Sequence, residues 1–356
     1  MSDSPLKLLI AASGTGGHLF PALAVARQLE NCQIEWLGVP NRLETQLVPS
    51  QYPLHTIAVE GFQGGLSLKS LRVLQGLVSS IGVCRRLLKT GGFQGVFTTG
   101  GYIAAPVILA ARSLNLPVLL HESNALPGKV TRLLAPWCTQ VAVGFEAAQN
   151  YLKGTNVITV GTPVRADFLD PQPLTLDIPE DAPLIVVVGG SQGAVAVNQL
   201  VREAVQDWLE RGVVVVHLTG NNDPHGQDFQ HSRYLTLPFY DNMGALLHRA
   251  SLAISRAGAG TLTELAIAKT PAILIPYPYA ADDHQTYNAQ IFVQAGAAQR
   301  FEQNQLTAET LKQTVSEWLD SPDTLEKMSQ AMASLAVPNS AQQLAQLIIT
   351  MIRPLT

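Results

Sequence analysis

Cysteine is scarce. Cys32, Cys84 and Cys138 are the only three, odd in number, far apart and without a CxxC pair. That excludes a disulfide framework and a cysteine-based zinc site, and it fits a reducing compartment. Charge is scarce as well, at 14% of residues against 47% hydrophobic. Such a composition excludes a disordered chain and leaves ample material for large cores. No run of 18 consecutive apolar residues occurs, so no segment is expected to span a bilayer. The first apolar run, Leu6–Ala12, follows an acid and is too short for a signal peptide. The expected setting is therefore the cytoplasm. No DxD metal–diphosphate motif and no familiar zinc ligand spacing occur, so no metal or other cofactor is expected.

Acid is also missing locally. Residues 61–121 contain none, but hold six bases: Lys69, Arg72, Arg85, Arg86, Lys89 and Arg112. Overall the chain is acidic, at −4. An acidic protein with one basic segment points to a local anionic partner and away from a general nucleic-acid binder. Within the segment Leu71, Leu74, Val78 and Ile81 share one helical face, flanked by Arg85 and Arg86. Apolar residues with basic flanks suit an interfacial helix on anionic lipid. A core-facing helix with a solvated basic end reads the same way.

What is present is alternation. A chain of 356 residues fits two domains of about 160–190 residues each. Leu6–Ala12 runs into a glycine loop and a helical pattern, and Leu184–Val188 does the same. Strand candidates at Ile34–Gly38, Val96–Thr99, Val118–His121 and Val157–Val160 alternate with helical stretches, as do Val213–Leu218, Tyr234–Leu237, Leu252–Ser255 and Ala272–Pro276. This predicts an α/β fold of two Rossmann-like halves with parallel sheets. The expected domains are 1–160 and 165–338, with Gly161–Arg165 as the hinge and a last helix, about 340–356, packing back on the first domain.

Four segments carry chemistry. Gly14-Thr15-Gly16-Gly17-His18 lets backbone approach a ligand at a helix start, and His18 suits a general base or a helix-entry histidine bonded to backbone. The loop is not a dinucleotide fingerprint and lacks a well-placed ribose acid, which argues against an NAD-dependent oxidoreductase. Gly189-Gly190-Ser191-Gln192-Gly193 is an anion cradle. In Ser255–Glu264, Thr261 and Glu264 are placed either to meet a ligand or to form a capping box. Asp282–Ala289 gathers polar groups after an apolar strand, where α/β ligand sites sit.

Taken together, GTGGHLFPALAVA (14–26), TTGGYIAAP (98–106), HESNALPG (121–128), GTPVR (161–165), GGSQGA (189–194), PFYDNM (238–243), SRAGAGTLTE (255–264) and DDHQTYNA (282–289) resemble, in order and along essentially the whole chain, the motif series of the MurG family. The resemblance implies a GT-B fold with a cleft between its domains. It also implies inverting transfer of N-acetylglucosamine from UDP-N-acetylglucosamine to an undecaprenyl-diphosphate-linked muramyl-pentapeptide, at the cytoplasmic face of the cell membrane, in peptidoglycan precursor synthesis. The proton of the attacking hydroxyl is assigned to His18 as general base, with Glu122 or another nearby polar group as helper; the remaining roles are carried over residue by residue from the resemblance. Phe239 and Tyr240 would read the uracil, and Glu264 the ribose. Ser191, Thr261 and Arg165 would meet the diphosphate. Gln285, His284 and Asn288 would read the sugar, and Thr15, Gly16, Gly17 and Asn124 would face the donor. The chain departs from the pattern in having Thr162 where Asn is common, Gly260 where a bulkier residue occurs, and His284 beside Gln285 where some members have two glutamines. A related transferase with another lipid acceptor and a non-enzymatic sugar-nucleotide sensor are the rival readings.

Overall fold

A computed structural model of the chain describes residues 5–59, 68–190 and 193–353, with side chains in the 68–91 helix from residue 75 onward. The chain divides into two compact units, Met1–Arg165 with Asn339–Thr356, and Ala166–Pro338. Arg165 thus falls in the first unit.

The first unit is a seven-stranded parallel sheet. Its strands are β1 (Leu6–Ala11), β2 (Cys32–Gly38), β3 (Leu54–Thr56), β4 (Gly95–Thr98), β5 (Val118–Glu122), β6 (Gln140–Val143) and β7 (Val157–Thr159), in the order β3-β2-β1-β4-β5-β6-β7. The helices of the unit are α1 (Gly16–Ala26), α2 (Glu44–Leu47), α3 (Leu68–Gly91), α4 (Ala104–Ser113) and α5 (Lys129–Leu134). The central strands are apolar on both faces because helices cover both. Leu9, Val96, Val118 and Leu120 pack on one side with α3 and α4 residues such as Cys84 and Val107. Leu8, Ile10, Phe97 and Leu119 pack on the other with Leu19, Ala22, Leu344 and Ile348. The last two belong to the closing helix, Ser340–Ile352. Order reverses between β1 and β4, and at such a switch point the loops at the carboxyl ends of the strands diverge and leave a crevice.

The second unit holds six parallel strands: β8 (Leu184–Val188), β9 (Val214–Leu218), β10 (Tyr234–Leu237), β11 (Leu252–Ser255), β12 (Ala272–Leu274) and β13 (Ala298–Arg300), in the order β10-β9-β8-β11-β12-β13. Its helices are α6 (Ala166–Leu169), α7 (Val195–Glu210), α8 (Met243–Arg249), α9 (Ala259–Ala268), α10 (His284–Gln294), α11 (Ala308–Leu319) and α12 (Pro322–Ser334), with α13 the closing helix of the first unit. Here the switch point lies between β8 and β11. α7 crosses back toward β9 and α9 toward β12, so the two helices cover opposite faces of the sheet and their N-terminal ends flank the switch point.

β3, β6 and β13 were not anticipated. β3 (LHT) and β13 (AQR) carry one apolar residue each, so no apolar run marks them, and all three are held by pairing with a neighbouring strand. α1 starts at Gly16, so Pro21 sits inside it. The bond it forgoes is to the carbonyl of Gly17, one residue in from the helix start.

Candidate functional site

In the first unit the loops after β1, β4 and β5 converge on His18. Its Nδ1 lies 2.7 Å from the carbonyl oxygen of Thr99. A carbonyl only accepts, so Nδ1 carries a proton, and in the neutral ring the lone pair is on Nε2. The Thr99 hydroxyl returns a bond to the carbonyl of His18 at 3.0 Å, clasping the start of α1 to the end of β4. Gly101 has φ +75°, and a Cβ there would stand 3.5 Å from His18 Nε2. Glycine at 101 meets the left-handed backbone and keeps the edge of the ring clear. Thr15, Gly16 and Gly17 occupy the turn into α1, with Thr15 as its N-cap residue. Arg165 lies with its guanidinium 5.2 Å from the centre of the Phe20 ring, on the same helix.

Glu122 is placed differently from the proton-relay role expected of it. It is buried, and its carboxylate accepts four hydrogen bonds. Asn124 donates twice, from backbone and side chain, both at 3.0 Å. Gly128 N–H donates at 3.0 Å and the Thr131 hydroxyl at 2.7 Å. With its acceptor sites taken, Glu122 holds the 123–128 loop to the start of α5, and Asn124 is positioned by it. The neighbouring His121 is wholly buried, with Nε2 2.9 Å from Gly161 O. Burial lowers its pKa, so it stays neutral.

Glu44 was missed. It is fully buried, and accepts from the Ser13 hydroxyl at 2.5 Å, Val39 N–H at 2.6 Å and Gly14 N–H at 3.3 Å. It braces the glycine loop from beneath. Nothing in the polar stretch around it marks it as buried, because the burial is created where α2 folds back from the end of β2 and sets Glu44 against Gly38 and the glycine loop.

In the second unit the loops after β11 and β12 are joined through Gln285, and the loop after β8 rests at Gly193 against that after β9. Ser191 and Gln192 lie outside the described residues. Phe239 is 63% exposed just after β10, an apolar ring available for stacking. The hydroxyl of Tyr240 pairs with that of Thr175 at 2.8 Å, leaving its backbone as the part that could meet a ligand. The capping-box alternative for Thr261 and Glu264 fails: α9 begins at Ala259, and its N-cap is Gly258, without a side-chain bond. Thr261 and Glu264 are both inside the helix, three apart, hence on one face. They stay part-exposed while Leu262, Thr263, Leu265 and Ala266 are buried.

Gln285 and Asn288 work on the protein itself. Gln285 Oε1 accepts from Ala257 N–H at 3.2 Å and Tyr277 N–H at 2.9 Å. Asn288 Nδ2 donates to Ala257 O at 3.2 Å. Side chains one turn apart thus hold both peptide groups of the residue before the α9 N-cap. Asn288 is entirely buried, so the expectation that it reads a sugar gives way to a positioning role. The Nε2 amide end of Gln285 points the other way. His284, half-buried, has Nδ1 2.8 Å from Ala281 O, which turns Nε2 outward. Asp282 and Asp283, just before it, both have positive φ, at 52° and 55°. Two successive left-handed acids store strain at the turn that presents α10. Arg256 is spent internally: it donates to the carbonyls of Ile275 and Pro276 at 3.0 and 3.1 Å and to Gln303 at 2.6 Å. No group of three His, Cys, Asp or Glu that could hold a metal occurs among the described residues.

Of the six bases of the acid-free segment, Arg112 lies on α4 and the other five lie on α3. Ser80, Cys84 and Leu88 are its buried stripe, with Ile81 half-buried against the core. Val78, at 63%, and Val83, at 48%, are exposed, beside the exposed Arg85, Arg86 and Lys89. The expected apolar face is therefore divided, with Ile81 turned inward and Val78 outward. The side chains of Leu71 and Leu74 lie outside the described residues. No described helix is long and apolar enough to cross a membrane.

Two successive Rossmann-type units with glycine loops at their strand ends define a protein of the GT-B class. The sequence matches the model of the glycosyltransferase family 28 N-terminal domain over residues 8–143 and that of the C-terminal domain over 184–344. It is 61% identical, over 98% of both chains, to the UDP-N-acetylglucosamine--N-acetylmuramyl-(pentapeptide) pyrophosphoryl-undecaprenol N-acetylglucosamine transferase of Nostoc punctiforme. It is 63% identical, at the same coverage, to that of Trichormus variabilis. Among solved structures, Acinetobacter baumannii MurG superposes with a TM-score of 0.79 at 32% identity, covering 97% of this chain and 100% of that one. The kitacinnamycin glycosyltransferase, at 15% identity, covers 98% of this chain and 99% of its own with a TM-score of 0.75, and shares the fold alone. The chain belongs to glycosyltransferase family 28.

Proposed function

We propose that the protein transfers N-acetylglucosamine from UDP-N-acetylglucosamine to an undecaprenyl-diphosphate-linked muramyl-pentapeptide, with inversion, in peptidoglycan precursor synthesis. The identity to curated transferases over 98% of the chain supports the substrates. The observation that carries the chemistry is the tautomer of His18, whose Nδ1–H is committed to Thr99 O and whose Nε2 is left basic. The acceptor hydroxyl attacks the anomeric carbon, the bond from that carbon to the diphosphate oxygen breaks, and the hydroxyl proton passes to Nε2. General-base help of this kind is worth about 10²–10⁴-fold. UDP leaves against the N-terminal ends of α7 and α9, whose unpaired N–H groups favour an anion; Arg165 adds charge. On this reading Phe239 covers the uracil, Glu264 accepts from the ribose hydroxyls, and Gln285 and His284 meet the sugar.

A lipid-linked acceptor places the enzyme on a membrane surface, and we assign that contact, at the cytoplasmic face of the cell membrane, to the exposed Val78 and Val83 with Arg85, Arg86 and Lys89. The deciding experiment is UDP release from UDP-N-acetylglucosamine in EDTA, with and without the lipid-linked acceptor. Release that depends on the acceptor and survives EDTA supports the proposal. Donor binding without release in any arm would overturn its acceptor half and favour another lipid acceptor or a sensor.

A further inference from the structure

Beneath the glycine loop of the second unit runs a buried polar chain that none of these roles uses. Tyr234 Oη lies 2.6 Å from His217 Nδ1, and His217 Nε2 lies 3.0 Å from Asn198 Oδ1. Asn198 Nδ2 donates to Thr219 O at 2.9 Å and to Asp223 at 2.7 Å. Arg202 Nη1 donates to the same Asp223 at 2.7 Å. Asn198, His217, Thr219 and Tyr234 are all buried.

The donors and acceptors admit one direction. Both amide hydrogens of Asn198 are used, so its Oδ1 faces His217 as an acceptor, and Nε2 must carry the ring proton. Nδ1 then accepts from the Tyr234 hydroxyl. Burial depresses the His217 pKa to about 3, so the ring is neutral and this tautomer persists throughout the working pH range. The chain ends on the carbonyl of Thr219. That carbonyl lies where a Cβ on Gly193 would fall, at 2.4 Å, and Gly193 has φ +78°. Asn198 is also in the first turn of α7, its N–H bonded to Ala194 O at 2.8 Å.

We infer that Tyr234, His217 and Asn198 are positioning residues for sugar-nucleotide binding: they fix Thr219 against Gly193 and so set where the N-terminal end of α7 meets the diphosphate. The inference rests on the proposed donor site. It predicts that loosening the chain costs donor affinity while leaving the transfer step, governed from the first unit, intact.

The test uses the full chain and UDP alone as the calorimetric probe, followed by steady-state kinetics. Tyr234→Phe removes one hydroxyl and keeps the ring packed edge-on against Phe229, at 5.2 Å. UDP affinity and the KM for the donor should worsen about five- to tenfold as the α7 end loses its fixed position, with kcat within about twofold; the unpaired His217 Nδ1 itself costs folding stability. His217→Ala should lose more. His217→Gln, which retains a donor for Asn198, should recover part of it. Thr270→Val, which removes a buried hydroxyl bonded to Leu247 O at 2.7 Å, is the control for general destabilisation and should bind UDP normally. Wild-type UDP affinity in Tyr234→Phe and His217→Gln, or a fall in kcat at unchanged KM, would overturn the inference. Failure of the wild-type protein itself to bind UDP would instead refute the donor-site reading beneath it.

Discussion

Replacing Glu122 by Gln separates its two readings. In the wild type, one carboxylate oxygen takes both donors of Asn124 and the other takes Gly128 N–H and the Thr131 hydroxyl. An amide keeps one oxygen and turns the other position into a donor. Whichever way it flips, two former donors face an NH₂ group. The hydroxyl can rotate away, but a backbone N–H cannot. One orphaned, part-buried N–H costs about 1 kcal/mol, the low end of the range for buried groups, and the weakened second bond about 1 kcal/mol more. Glu122→Gln should therefore destabilise the first unit by about 2 kcal/mol, measured as a fall in the urea midpoint at constant m-value. Activity should fall with the loss of the 123–128 loop geometry, and the pH–rate profile should keep its shape. A variant as stable as wild type within about 0.5 kcal/mol, with a shifted acidic limb in its profile, would refute the loop-holding account and restore Glu122 to the proton path.

Three further predictions follow the same logic. His18→Ala should lower kcat by about 10²–10⁴-fold with UDP affinity unchanged by calorimetry; equal losses in both would reject the base assignment. His217 stays neutral in the folded chain down to about pH 3 but takes up a proton near 6.5 when unfolded. The unfolded state thus binds the extra proton below pH 6.5, and stability is full above that pH and falls as pH drops toward 3. Linkage gives a loss of about 2 kcal/mol between pH 7.5 and 5.0, which His217→Gln should abolish in urea titrations; the same acid loss in that variant would disprove it. Arg85→Gln with Arg86→Gln should cut sedimentation with anionic vesicles, each charge being worth about 1 kcal/mol near such a surface, without changing UDP binding. Undiminished sedimentation would remove α3 from the membrane contact.

Much of the fold was legible because alternating apolar strands and amphipathic helices are local patterns, and a parallel sheet covered on both faces follows from them. The same holds for the glycine loops: a strand that ends in glycines and opens a helix announces a switch-point ligand site before any contact is known. His18 was visible for that reason. The side chains around it were not legible in the same way. Glu122, Asn288 and Gln285 stand in motif segments, so sequence offers them as ligand contacts, yet their polar atoms meet backbone groups that folding brings near. Glu44 and His217 stand in no motif at all.

The sequence by itself determined the α/β class, the strands that read as apolar runs, and the loops that must come close to a ligand, because each depends on residues within a few positions of one another. Only the tertiary structure decided β3, β6 and β13, which are made by their neighbours. It alone decided which polar atoms remain open to chemistry, because a hydrogen bond between residues 81 or 21 positions apart, as from His18 to Thr99 and from Asn198 to Thr219, depends on where strands lie in a sheet, and strand order is not written locally.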